Sequence, residues 1–151
     1  MNVTALLIST IVIWIAVLAG TYQRLFEMPK WFRNPPASFE LIRKQSKKAR
    51  MFWIPLSVLF MISAGTALIL NWQFPDSRNH IIGGMVCFAL TGILSAAYFV
   101  KEILAFTKIS PDAPATDELK SRVRTWLRWT TVRDVLQFLA AAFISIAYNH
   151  I

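Results

Sequence analysis

The sequence has few of the residues that build metal and covalent catalytic sites. Cys87 is the only cysteine among 151 residues, which excludes an intramolecular disulfide. The two histidines, His80 and His150, occur without HxxxH or CxxC spacing. No glycine-rich phosphate loop, nucleophile elbow or dinucleotide fingerprint is found in the sequence. We therefore expect no metal and no cofactor, and leave open whether the two histidines bind anything.

Charged residues are also scarce, at 16% of the chain, whereas 56% of its residues are hydrophobic. A soluble domain of this size needs more surface charge. The apolar residues gather into four runs close to the roughly 20 residues that cross a hydrocarbon layer of about 30 Å. These runs cover residues 3–20, 51–72, 81–100 and 132–151. We predict one all-α membrane domain, an antiparallel four-helix transmembrane bundle.

The 16 lysines and arginines are divided unevenly between the connections. Eight lie between the first two runs and seven lie from Lys101 to Arg133, whereas Arg78 is alone between the second and third runs. The first and third connections share one side of a four-span protein, and the positive-inside rule places that side in the cytoplasm. We predict a protein of the bacterial inner membrane with both termini outside.

The net charge of +8 thus belongs to one membrane face. Anionic lipid headgroups would attract these cations, so the bilayer is the expected partner. Nucleic acid explains the charge less well, because a basic nucleic-acid-binding module needs a fold that presents its charges. A homo-oligomer and a lipophilic small molecule remain as further partners to consider.

Prolines interrupt both long connections, and a new helix is expected after each interruption. From Ser38 onward, basic residues share one helical face and apolar residues share the other. In the last connection, Thr116 is placed to cap a helix whose first turn is acidic. Both helices should continue into the following run as amphipathic cytoplasmic extensions. The apolar face of the first comprises Leu41, Ile42, Ala49, Phe52 and Trp53.

Two spacing patterns predict contacts. Small residues at four-residue spacing, Gly83, Cys87, Thr91 and Ser95, should face a neighbouring helix, whereas the stripe from Gly84 to Gly92 is interrupted by a phenylalanine and is weaker. On the last helix, arginine and tryptophan alternate along one face. This alternation suits cation–π stacking or an anionic ligand, but we favour an interfacial belt. The four residues are Arg122, Trp126, Trp129 and Arg133.

Ionisable residues near membrane depth are the best functional markers, because each is costly there unless it is paired or wetted. Three carboxylates near the cytoplasmic ends, Glu27, Glu102 and Asp134, are candidates for catalytic proton transfer. The alternative is a set of ion pairs that joins helix ends, and we predict that Asp134 pairs with a basic residue of another helix. The candidate ligand-binding residues are Tyr22, Arg24, Trp53, Tyr98, Trp129 and Arg133, and Gln137 should line the same mouth.

Two stretches resemble the anthrone oxygenase-like family of four-helix membrane proteins. They are Gly20–Trp31, followed by Asn34–Phe39 and Phe52–Pro55, and Leu119–Arg133 with its Arg-x-x-x-Trp-x-x-Trp pattern. The resemblance implies a fold shared with fungal enzymes that oxidise a polycyclic anthrone to an anthraquinone without a bound metal.

Two functional hypotheses follow. The first is an oxidoreductase-like membrane enzyme that acts on a lipophilic aromatic or quinone-type molecule between the helices, with Glu27, Glu102 or Asp134 as base. The alternative is a non-catalytic membrane protein whose basic cytoplasmic helices bind anionic lipid or a partner protein.

Overall fold

Four long helices form the protein. In the computed structural model, which describes residues 3–150, they are α1 (Val3–Trp31), α2 (Phe39–Leu70), α3 (Pro75–Thr107) and α4 (Asp117–Asn149). The described residues contain no strand. Each helix is long and apolar enough to cross a membrane. The predicted all-α four-helix bundle is confirmed, and each predicted span lies largely within one of these helices; residue 151 is outside the described residues.

Neighbouring helices run antiparallel, as contacts at both ends of α3 and α4 demonstrate. At one end the Ser77 hydroxyl donates to the Ala147 carbonyl at 3.3 Å, and at the other Arg122 pairs with Glu102. We call the end with connections 32–38 and 108–116 the basic end, and the end with connection 71–74 the terminal end. α1 packs against both α2 and α4, and α3 packs mainly against α4.

Proline and threonine positions mark the helix boundaries as expected. α2 begins at Phe39, shortly after Pro36, and continues through Pro55. α4 begins at Asp117, where the Thr116 hydroxyl accepts a hydrogen bond from the Leu119 amide at 3.1 Å. This cap satisfies one of the free amides of the first turn. The predicted helical extensions are therefore present on both α2 and α4.

The buried residues form two separate cores. The terminal core contains small and branched side chains of all four helices, with Phe60 as its largest member. The basal core, at the basic end, is largely aromatic and also takes residues from all four helices. Its members are Met28, Trp31, Phe39, Ile42, Phe99, Phe106, Leu119, Val123 and Trp126. Only part of the predicted apolar face of α2 is covered, because Ile42 is buried in this core whereas Leu41 and Phe52 are exposed.

Among the glycines, Gly84 of α3 has the least space for a side chain, because α4 packs directly against it. A Cβ atom there would lie 2.8 Å from Ile144 Cγ1, whereas one at Gly83 would lie 3.3 Å from Phe143 Cδ1. The stripe that we expected to be weaker thus makes the tighter contact, because Ala140 and Ile144 of α4 lie directly over Gly84. The other stripe also meets α4 at Gly83, and its Thr91 is buried.

Candidate functional site

Polar side chains separate the two cores along α1 and α4. On α1, Arg24 lies between the residues of the terminal core and those of the basal core, and on α4 the segment from Thr130 to Gln137 holds the same position. Charges near the middle of a helical bundle need partners or water. The contacts of this layer therefore determine what the site can do.

Asp134 is held by two arginines. Arg24 Nη1 donates to Asp134 Oδ2 at 2.8 Å, and Arg133 Nη2 donates to Asp134 Oδ1 at 3.4 Å. Arg24 Nη2 also donates to the Thr131 hydroxyl at 2.8 Å. The predicted pairing of Asp134 with a basic residue of another helix is confirmed, since Arg24 belongs to α1. Both carboxylate oxygens are engaged, so the carboxylate serves to join α1 to α4.

Glu102 is engaged in the same way by Arg122. The guanidinium donates through Nε to Glu102 Oε2 at 3.2 Å and through Nη2 to Oε1 at 3.1 Å, which is a bidentate pair between α3 and α4. No hydrogen bond or ion pair joins any two of the three candidate carboxylates within residues 3–150. For Asp134 and Glu102 the contacts therefore match the alternative in which ion pairs hold helix ends together.

The arginines of the Arg-Trp stripe stack on phenylalanines of α3, and not on the tryptophans beside them. The guanidinium carbon of Arg133 lies 4.9 Å from the centre of the Phe99 ring, and that of Arg122 lies 5.3 Å from the centre of the Phe106 ring. Trp126 is only 2% exposed, in the basal core, and so of the two tryptophans only Trp129 has the exposure that an interfacial belt requires.

Glu27 differs from the other two carboxylates, because it makes no ion pair or hydrogen bond with another described residue. It lines a groove of about 280 Å³ between α1 and α2. Lys48 lies in the same wall, also without an ion pair. The remaining lining residues are Ala19, Tyr22, Gln23, Ala49, Phe52 and Trp53. The groove thus combines three aromatic rings with one carboxylate and one ammonium group.

Two helices contain a π-helical turn near the polar layer between the two cores. α1 changes from α-helix to a π-helical turn at Gln23–Glu27, and α3 does so at Ser95–Phe99. Each turn contains candidate site residues, Arg24 and Glu27 in the first and Tyr98 in the second. Such turns are rare and frequently lie at functional sites. Both are therefore independent markers of this layer.

The candidate site residues are distributed over three helix contacts. Tyr22, Glu27 and Trp53 line the α1–α2 groove. Arg24, Asp134 and Arg133 join α1 to α4. Tyr98, whose ring centre is 6.3 Å from that of Trp129, lies at the α3–α4 contact together with Glu102. The single mouth that we expected is thus divided between separate pairs of helices.

Sequence reasoning left five lining residues of the groove out of the predicted site, namely Ala19, Gln23, Lys48, Ala49 and Phe52. The spacing of these residues in the sequence nevertheless contained a signal for the groove. Lys48 lies four residues before Phe52, and Ala49 four before Trp53, so the basic and apolar faces predicted for α2 adjoin at these residues; Ala19, Tyr22 and Gln23 share one face of α1. These faces of α1 and α2 meet in the groove, and taken together they would have added the Lys48 ammonium group to the predicted site.

The two histidines meet at the terminal end, with ring centres 5.2 Å apart and nearly parallel planes. His80 Nδ1 also lies 2.7 Å from the Asp76 carbonyl oxygen. Residues 3–150 contain no group of three histidine, cysteine, aspartate or glutamate residues that could hold a metal ion. The contact between the two imidazole rings is stacking.

The anthrone oxygenase-like resemblance of the segments within residues 20–55 and 119–133 stays a prediction that rests on short motifs. Comparison with protein-family models, curated proteins and solved structures found no match to the chain.

Proposed function

We propose that this chain is an integral membrane protein that binds a lipophilic aromatic molecule in the α1–α2 groove, near the cytoplasmic side. The observation that carries the proposal is the composition of the groove. Aromatic surface from Tyr22, Phe52 and Trp53 adjoins an unpaired carboxylate and an unpaired ammonium group in a space of about 280 Å³. Apolar pockets with a few polar groups are typical of small-molecule sites.

The surface of the bundle supports the membrane location. Apolar side chains more than half exposed include Leu18, Ile62, Ile69, Ile93 and Val135. A soluble monomer rarely exposes so much apolar surface, whereas lipid tails accommodate it. A helix of 33 residues is about 50 Å long. It exceeds the hydrocarbon thickness of about 30 Å, so the basic end would project into the cytoplasm.

Cysteine labelling tests this orientation. With Cys87→Ser as background, Gln73→Cys and Ser110→Cys place single thiols at exposed positions in connections 71–74 and 108–116. A membrane-impermeant maleimide should label Gln73→Cys in intact cells and Ser110→Cys only after permeabilisation, because the positive-inside rule places connection 108–116 in the cytoplasm. The reverse pattern, or equal labelling of both positions, would contradict the proposed orientation.

The polar pair in the groove favours a hydroxylated or quinone-type ring. The Lys48 ammonium can donate to a ring carbonyl, and the Glu27 carboxylate can accept from a ring hydroxyl. The oxidoreductase activity implied by the family resemblance would use Glu27 as the proton acceptor at this point. Asp134 and Glu102 are less suited to that role because arginines already hold them.

Tryptophan fluorescence can test the binding. Decylubiquinone should quench the emission of the detergent-solubilised protein saturably, and its reduced form should compete. Trp53→Phe should remove most of the saturable quenching, whereas Trp72→Phe, exposed near the terminal end, should not. Glu27→Gln should raise the dissociation constant of the reduced form about fivefold through loss of a charged acceptor. Glu118→Gln, at an exposed position of α4, is the matched control.

Equal saturable quenching of Trp53→Phe and the unaltered chain would contradict binding in this groove. That result would favour the alternative, a non-catalytic protein whose basic helices bind anionic lipid. The observation that supports the alternative is a stripe on α4, Lys120, Arg124 and Arg128, whose residues are all exposed and make no ion pair with a described residue.

A further inference from the structure

A second cavity, of about 80 Å³, lies between α1 and α4 beside the Arg24–Asp134 pair. Gln137 lines it and is only 6% exposed. The Gln137 amide makes no hydrogen bond with any described residue. Its amide atoms are not among the enclosed unpaired atoms of the described residues, so they are open to the cavity, and a group that enters can hydrogen-bond to them. The other lining residues are Val17, Gly20, Thr21, Asp134 and Phe138.

Hydrogen-bond acceptors dominate the polar part of this cavity. The Thr21 hydroxyl donates to the Val17 carbonyl at 2.8 Å, which leaves its oxygen as an acceptor. The Asp134 carboxylate can only accept, and each oxygen keeps a lone pair beyond its arginine contact. Gln137 offers one acceptor oxygen and one donor NH₂ group. A ligand must therefore donate a hydrogen bond. A hydroxyl group can donate to Asp134 and accept from Gln137, whereas an ether or a ketone cannot donate.

The size of the cavity restricts the ligand further. A cavity of about 150 Å³ is known to hold benzene, so about 80 Å³ suits a hydroxymethyl group and not a ring. Val17 and Phe138 provide apolar walls, and Phe138 is 52% exposed on the bundle surface. The cavity thus offers a polar pocket with an apolar edge that faces outward.

We propose that this cavity binds the primary hydroxyl of a lipid alcohol, such as the free hydroxyl of a diacylglycerol, whose chains lie in the bilayer along Phe138. The proposal rests on the membrane location proposed above and does not depend on the aromatic groove. Gln137 and Asp134 are the residues that recognise the hydroxyl, and Gly20 leaves room beside Gln137, since a Cβ atom there would lie 3.7 Å from Gln137 Oε1.

Photolabelling of the full chain in lipid nanodiscs tests the proposal. The probe is a dodecanol that carries a diazirine close to its hydroxyl, and labelled peptides are identified by mass spectrometry. Labelling should concentrate at residues 17–21 and 134–138 and should be displaced by 1-dodecanol but not by dodecyl methyl ether. Gln137→Leu should reduce the displaceable labelling about fivefold, whereas Gln73→Leu, in an exposed connection, should leave it unchanged.

Displacement by the methyl ether as effective as that by the alcohol would overturn the proposal, because binding would then not depend on a hydrogen bond donated by the ligand. Unchanged labelling of Gln137→Leu would also overturn it. Thr21→Val is a second variant, for the case in which Gln137→Leu does not fold. It removes an acceptor oxygen from the cavity at an exposed position of α1 and should lower the labelling. Loss of decylubiquinone binding alone would refute the aromatic groove and leave this site intact.

Discussion

Replacement of Asp134 by alanine is expected to lower the free energy of unfolding by about 2–3 kcal/mol. The substitution leaves Arg24 and Arg133 close together without the carboxylate that now lies between them. Breaking a fully buried pair costs about 3–5 kcal/mol. The smaller value applies here because the side chains of Arg24 and Asp134 are 38% and 24% exposed.

Thermal unfolding in detergent, calibrated by denaturant titration, would measure this effect. Asp112→Ala, in the exposed connection 108–116, is the matched control and should change stability little. A double-mutant cycle with Arg24→Ala should show that the second substitution costs much less once the first is present. Additive losses would mean that the Arg24–Asp134 contact does not contribute to stability.

Gly84→Leu is expected to destabilise the bundle by about 3 kcal/mol, because overpacking a tight contact forces backbones and side chains to move. The first added carbon alone would lie 2.8 Å from Ile144 Cγ1 and 3.2 Å from the Ala140 carbonyl oxygen. The side chain of Ile144 can move, but the Ala140 backbone cannot move without shifting α4. α3 and α4 would therefore have to separate.

Gly92→Leu provides the comparison for this substitution. Apart from the adjoining residues and backbone of its own helix, no heavy atom lies within 4 Å of a Cβ at position 92, so leucine there should be neutral or slightly stabilising. Ile144→Ala should recover part of the stability lost by Gly84→Leu, because it removes the nearest atoms. Equal unfolding temperatures for Gly84→Leu and Gly92→Leu would show that the Gly84 contact is looser than the structure has it.

Much of the fold could be predicted because it depends on local features of the chain. Run length defined four helices, the prolines of the two long connections located the interruptions, and Thr116 located the start of α4. The π-helical turn at Gln23–Glu27 could not be predicted, because no residue type specifies it. Such a turn depends on how α1 packs against its neighbours, and that information is not local.

The candidate site was harder to predict because it depends on how the helices are rotated against each other. The cost of an unpaired charge near membrane depth correctly predicted that Asp134 would pair with a basic residue of another helix. It could not show that Arg122 and Arg133 would stack on Phe106 and Phe99, since those rings belong to α3. Spacing within one helix indicates which residues share a face, but it does not identify the neighbour that the face meets.

The basal core also determines when the protein can finish assembling. It joins Trp31, Phe39 and Phe106 to Trp126 and two other residues of α4, which follows the other three helices along the chain. If the chain inserts as proposed, this aromatic core forms in water, where hydrophobic association operates, whereas the spans meet in lipid, where it does not. On that proposal, the first three helices are made before the bundle can close, and closure is a late step driven by association at the basic end.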